Sequence, residues 1–375
     1  MAPRLAPAKT VKYMSKRVHA MAPELQAPNK DMRENYLKAI EFRYPRWIPC
    51  SVNFLPVAWK KHREKLEDLV LRHPWIFGQH DRGERDYDAM PPVYRAGEYY
   101  TDNWGCTWYG IIDGIEGQVV RHPLEKWEAL DGFKPPNPLT KTERGERNWE
   151  KLRKIAEERR RRGLLVVGDG ERLFDRMYFL RGFTNLMRDI VLDAPELPRL
   201  IRMIEDHEMK LIEIGSEVHA DLMSFHTDIG SQRGLMISPV KFRKYIKPMF
   251  ERLFRKCRSE GMHVYLSSDG RLIDIVDDLV ECGVSVHDPQ LRANTLQGIA
   301  EAYRGKMCID LDLDRQMFSS CTPEDIRKQI WQAVDQLSLP EGGFMMKAEI
   351  CDAAVPLENI EAICKAMDDF CIGRR

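Results

Sequence analysis

The segment VYLSSDGRLIDIVDDLVECGVSVHDP, residues 264–289, contains the unit from which the fold is read. An apolar run, Val264 to Leu266, ends abruptly in Ser267, Ser268, Asp269 and Gly270. A helical pattern, RLIDIVDDLVECG, follows, and a second apolar run, VSVHDP, closes the unit. Strand patterns alternating with helical ones imply a parallel sheet. The same unit recurs on both sides. LLVVGDG and LMSFHTDIG precede the helix-like PVKFRKYIKPMFERLFRKCRSEG, MCIDLDLD precedes PEDIRKQIWQAVDQL, and GGFMMKAE precedes LENIEAICKAMDDF. With the earlier strand WIPCSVNF, the count reaches roughly eight units. In one domain of this length, that favours a closed (β/α)8 barrel (TIM barrel) over an open sheet. No GxGxxG opens any helix, which argues against a dinucleotide fold.

Outside the repeating units, residues 1–30 read as a basic, proline-containing N-terminal arm, and 31–375 as the barrel domain, with Asp31 capping its first helix. Near residues 74–140 the periodicity breaks into an irregular insertion crowded with aromatics and glycines (YRAGEYYTDNWGCTWYGIIDGIEG). Long irregular stretches within a compact domain are usually functional. The run Arg159–Arg162 shares a helical pattern with Glu150, Glu157 and Glu158, so it is expected to be a solvated face rather than a nucleic-acid patch.

Lys plus Arg and Asp plus Glu both number 58, so no net charge points to nucleic acid. No apolar run approaches the ~20 residues that span a bilayer, and the arm lacks an apolar core for a secretory signal. Nine scattered cysteines without a CxxC pair fit reduced intracellular thiols. A cytoplasmic location is the expectation.

In a barrel of this kind the chemistry sits where strands end and loops begin, at the C-terminal face. The strand ends carry His226 and Asp228, Ser267 and Asp269, His287 and Asp288, Asp310 and Asp312, Lys347 and Glu349. A single Asp after a strand is more often a helix cap than a site residue. Capping does not explain polar pairs with a one-residue gap at successive strands. Alternation sends both members of such a pair to one side of the strand, here the barrel interior.

Two segments resemble the uroporphyrinogen decarboxylase superfamily, which includes the corrinoid-dependent methyltransferases. DIGSQRGLMISPVKFRKYIKPMFERL is similar to the family segment with D-[LI]-G-x-Q and S-P-x-x-[FY]. GGFMMKAEICDAAVPLENIEAICKAM resembles its closing strand and helix. DNWGCTWYGIIDGIEG is a fainter likeness. The resemblance implies a TIM barrel with its pocket at the C-terminal face. It lies nearer the methyltransferase branch than the true decarboxylases, because NFLPVAWKKHREK stands where their R-Q-A-G-R signature is expected.

That branch binds zinc through an H-x-C on the strand matching VYLSSDG and through a later cysteine. Here Ser267 stands at the histidine and Asp269 at the thiolate. The expected metal set, for zinc or another divalent ion, is therefore Asp269, His287 and Glu349, with Cys351 as the alternative to Glu349. The other reading leaves Asp269 and Glu349 metal-free, binding substrate or pairing with Lys347 and Arg292.

The resemblance implies a methyltransferase that demethylates a small O-methylated compound, with a methoxy-aromatic ring as one candidate. The methyl group would pass to a corrinoid protein. Cobalamin is expected on that separate partner, since the chain has no D-x-H-x-x-G motif, and a homodimer is allowed. An ether oxygen needs activation by a metal or a proton donor. Asp269, His226 and Asp228 are the candidate catalytic residues. Trp104, Trp108 and Tyr109 are candidates to hold an aromatic ring, with packing as the equal alternative, and part of residues 95–118 is expected to cover the pocket as a lid or wall. Arg181, Tyr265, Asp310 and Lys347 complete the expected substrate-binding set. The alternative is a decarboxylase or lyase acting on a small carboxylate or tetrapyrrole-like substrate, with Arg181, Arg233 and Lys347 holding the carboxylate.

Overall fold

The computed structural model describes residues 32–78, 81–83, 85–142 and 145–371. The expected arm and the Asp31 cap lie outside these residues. Seven parallel strands form the central sheet: β1 (Cys50–Phe54), β2 (Val167–Arg172), β3 (Leu222–His226), β4 (His263–Ser267), β5 (Val286–His287), β6 (Cys308–Asp312) and β7 (Phe344–Ile350). Their order is β1-β7-β6-β5-β4-β3-β2, so the last strand pairs with the first and the sheet curls into a barrel. Among the described residues no ladder joins β1 to β2. The closed eight-stranded barrel is corrected here to seven strands with a seam. The physical reason is the insertion, which occupies the stretch between β1 and β2 and contributes no strand to this sheet.

Each helix packs because its apolar residues recur on one face. In the helix Pro323–Leu337, Thr322 caps the first turn and Asp325 returns the bond, a capping box. Ile326, Ile330, Ala333, Val334 and Leu337 form its buried stripe. Each large side chain buried in this way contributes about 1.5–3 kcal/mol. The helix Met32–Ile40 closes the N-terminal end of the barrel. Its Ala39, Ile40 and Tyr36 pack with Leu222, Tyr265, Val286, Cys308 and Met345 from the strands. The other end is left open as the mouth.

The insertion folds as a three-stranded antiparallel sheet, Tyr99–Thr101, Thr107–Tyr109 and Gln118–Arg121, with short helical turns. The arginine run is only partly a solvated face. Arg159 is buried and donates from Nε to the Leu165 carbonyl at 2.7 Å, and Arg160 donates to the Val218 carbonyl at 2.7 Å. Cys50 is disulfide-bonded, whereas Cys106, Cys257, Cys282 and Cys308 are among the seven free thiols of the described residues, so the reduced-thiol expectation fails at Cys50. No helix among the described residues is long and apolar enough to cross a membrane.

Candidate active site

The strand register brings a polar layer into the barrel. Asp312 lies opposite Lys347 across β6 and β7, and Ser51 lies opposite Lys347 across β1. Alternation then turns Asp310 and Asp312 inward together. Lys347 Nζ binds the Asp288 carboxylate, which also accepts from the Ser267 hydroxyl at 2.7 Å and the Ser268 N–H at 3.0 Å. The Tyr265 hydroxyl donates to Asp310 at 2.7 Å. Burial alone would raise the Asp288 carboxyl, but the Lys347 charge and these donors hold it below its usual range. Asp310 and Asp312 have weaker support, and burial pushes them up to about 6 and about 7. One Asp312 oxygen has no hydrogen-bond partner.

Above this layer, Arg315 gathers the mouth. Its guanidinium donates to Asp312 at 2.7 Å, to Asp269 at 3.0 Å and to Glu349. The Asp269 N–H donates to Asp228 at 3.1 Å, and the Asp228 N–H donates to Asp175 at 2.6 Å. Burial, and then the neighbouring Asp269 charge, raise the Asp228 carboxyl. Gly270 explains the end of VYLSSDG. Its φ is +92°, and a Cβ there would lie 2.4 Å from the Gly230 carbonyl carbon, so only glycine lets the two loops cross. That crossing sets Asp269 beside Asp228.

Asp269, Asp228 and Glu349 thus meet at the mouth, and His226 lies on the same end of the barrel, in register with Ser267 and Arg172. Tyr265, Asp310 and Lys347 lie in the layer below. The expected metal set does not assemble, because His287 is misplaced. It stands in register with Leu266 and Ile309, outside the barrel, and stacks on Tyr303 with ring centroids 5.5 Å apart. Adjacent strand residues face opposite ways, so with Asp288 inside, His287 must face out. Burial lowers its imidazole to about 4. Asp269 and Glu349 share Arg315 rather than facing an open site. Among the described residues no group of three or more His, Cys, Asp or Glu converges as metal donors. Cys351 is a half-buried free thiol beside Arg315. The pairings expected with Lys347 and Arg292 are likewise replaced: Arg292 binds Asp314 at 2.8 Å.

The aromatic wall is also corrected. Trp104 is 2% exposed and donates to Glu171 at 3.0 Å, and Trp108 donates to Asp102 at 3.1 Å. Arg176 ties both carboxylates together, at 3.1 Å to Asp102 and 3.0 Å to Glu171. Burial opposes ionisation of Glu171, but Arg176, His207 and Trp104 lower its carboxyl to about 2. Tyr109 packs on Tyr99 within the small sheet at 4.8 Å. Apolar bulk with one polar edge suits a core sealed by buried carboxylates as well as it suits a ligand. The insertion reaches the mouth through Glu116 instead, which binds Arg172 at 2.5 Å. Arg181 is buried against Asp189 at 2.7 Å and over the Trp127 ring, away from the barrel. Trp104→Ala is expected to cost about 3–5 kcal/mol. A denaturant melt checks this, and a stability change under 1 kcal/mol with lost turnover would return Trp104 to the site.

The sequence reading missed Arg315, although it stands three residues after Asp312 in DLDLDR. An arginine just past a strand of inward carboxylates was the available signal. Arg172 and Asp175 carried none, because the β-bulge between Asp169 and Arg172 decides where they point.

The family model for uroporphyrinogen decarboxylase (URO-D) matches residues 111–370. No curated protein matches the sequence. Among solved structures, a methyltransferase from Methanosarcina mazei superposes with a TM-score of 0.55 at 18% identity, covering 72% of this chain and 76% of that one. A D-psicose 3-epimerase solved with D-fructose gives a TM-score of 0.38 at 8% identity, over 60% of this chain and 85% of that one. A 3-keto-D-glucoside 4-epimerase from E. coli gives 0.35 at 14% identity, over 58% and 83%.

Proposed function

This chain belongs to the URO-D family, and from that membership we propose that it is a methyltransferase which demethylates a small O-methylated compound, with a corrinoid protein as the methyl acceptor. The observation that carries the reading is the pair of buried acids Asp310 and Asp312 on one inward face of β6, with the Lys347 ammonium between them and Asp288. When an ether is cleaved, the methyl–oxygen bond breaks and its electron pair stays on oxygen. That oxygen is a poor leaving group unless it takes up a proton. Carboxyls held near 6 and 7 retain a proton near neutral pH and can supply it. Cobalamin on the partner supplies the methyl-accepting chemistry. The residues of this chain orient the ether, exclude water and deliver the proton.

Charge supports this reading over the decarboxylase one. Even with Asp310 and Asp312 protonated, Asp269, Asp288 and Glu349 lie around Lys347 and Arg315, and both cations are already paired. An anionic substrate would meet an excess of like charge.

The test incubates the protein with an aryl methyl ether and reduced cobalamin as the surrogate acceptor, and follows methylcobalamin by absorbance. Asp310→Asn and Asp312→Asn are each expected to slow transfer at least a hundredfold, within the usual contribution of a general acid. The wild-type rate should fall as pH rises through 6 to 7, because the raised carboxyls lose their protons there. Carbon dioxide release from a carboxylate substrate, without methylcobalamin, would establish the lyase instead.

Stability carries the same sign. Between about 4, where an unfolded Asp ionises, and 7, the unfolded chain gives up protons that folded Asp312 keeps. Its contribution to stability is therefore lost as pH rises through that window. The melting temperature of Asp312→Asn relative to wild type should climb from pH 5 to pH 8. A constant difference would show that Asp312 is not raised.

A further inference from the structure

A cavity of about 140 Å³ lies inside the lower half of the barrel, at the seam between β1 and β2. It is separate from the mouth occupied by Arg315. Tyr36, Trp47 and Trp75 supply aromatic walls, Leu222 and Met345 an apolar floor, and Tyr265, Asp310 and Lys347 its polar end. We propose that this cavity binds a small uncharged single-ring aromatic compound, which enters sideways through the seam and places its oxygen at Tyr265 and Asp310. The inference rests on the methyltransferase reading and gives that reaction a substrate class and an entry route.

Size, charge and rigidity each narrow the ligand. A dry apolar cavity of about 150 Å³ accommodates one benzene ring, so a single ring fits here and a tetrapyrrole does not. The cationic side chains along the wall are engaged. Arg33 binds Asp221 through Nε at 3.0 Å, Arg159 donates to the Leu165 carbonyl and Lys347 binds Asp288. With its cations satisfied, the cavity offers an anion no partner, and a neutral ring leaves no buried charge uncompensated. Flat aromatic walls around a few convergent polar groups are the usual make-up of a small-molecule site. The wall is also held in place. Asn35 donates to the Trp47 carbonyl at 3.0 Å and accepts from the Arg46 N–H at 2.6 Å, which staples the loop before β1 to the helix Met32–Ile40. The seam itself exists because no strand joins β1 to β2.

Calorimetric titration of the full chain with phenol, 2-methoxyphenol and benzoate tests the proposal. Phenol and 2-methoxyphenol should bind, and benzoate at least tenfold more weakly. Ser224→Phe fills the cavity from β3 and should abolish phenol binding while the melting temperature holds. If that variant fails to fold, Ser51→Leu narrows the seam from β1 and should weaken binding tenfold or more. Phenol affinity unchanged in the folded filling variant would overturn the inference. So would affinity lost in Arg315→Ala and kept in both cavity variants, because the ring would then sit at the mouth. Phenol has no methyl group to give, so the two readings fail separately. Phenol binding without methyl transfer from any ether sinks the methyltransferase and keeps the site. Methyl transfer from alkyl ethers with no phenol binding keeps the methyltransferase and sinks the site.

Discussion

Replacing Arg315 with alanine is expected to destabilise the fold by about 3–5 kcal/mol at pH 8, the cost of removing the charged partner of the buried Asp312 carboxylate. Its side chain is 18% exposed and is the shared partner of Asp269, Asp312 and Glu349. Without it, three carboxyl groups face one another with no cation between them. The guanidinium offsets the charge of these carboxylates, so its loss should matter most at high pH, where Asp312 is also charged. At pH 5 the Asp312 carboxyl is protonated and a good part of the loss should return. Equilibrium unfolding in urea at both pH values measures this. A loss under 1 kcal/mol at pH 8, or one independent of pH, would mean that the cluster does not depend on Arg315. The same variant bears on the metal expected from the sequence. Where a guanidinium already satisfies the carboxylates, added zinc should leave wild-type melting unchanged. In Arg315→Ala the freed carboxylates can hold a divalent ion, and zinc should raise its melting temperature. Zinc stabilising wild type and variant equally would place the metal elsewhere.

Lys347→Met carries the second large effect. Lys347 is the cation of the inner layer, bound to Asp288 and near Asp310 and Asp312. Burial alone would strip its proton, yet these carboxylates hold its pKa above that of a free lysine. Methionine keeps most of the bulk and removes the charge, so Asp288 is left buried and unpaired. The expected cost is about 3–5 kcal/mol, growing as pH rises, because Asp310 and Asp312 also lose the charge that draws them down. Removing the orphaned partner as well should recover much of it. The double variant Lys347→Met with Asp288→Leu is expected to be at least 2 kcal/mol more stable than Lys347→Met alone, the range of coupling seen for residues in one network. A double variant no better than the single one would show that the two side chains do not depend on each other. Methyl transfer should stay absent in both, which separates the structural role from the chemical one.

Periodicity alone located the repeating units. Strands expected near 264 and 307 begin at His263 and Cys308, and the inward pairs Asp310 with Asp312 and Lys347 with Glu349 follow from alternation along a single strand. That information is local, and a strand carries it in the order of its own residues. Three things were not local. His287 and Asp288 are neighbours in sequence, and only the register with β4 and β6 chose which of them faces inward. Trp104 and Trp108 read equally well as a ligand wall or as a core, and their bonds to the half-buried Glu171 and the buried Asp102 settled it. Arg315 became the centre of the mouth because β4, β6 and β7 converge there, bringing together carboxylates up to 80 positions apart in the chain, Asp269 and Glu349. Nor could the seam be read from the chain. Whether a barrel closes depends on whether the edges of β1 and β2 meet, and a stretch of sequence between them cannot show that it forms no strand in that sheet.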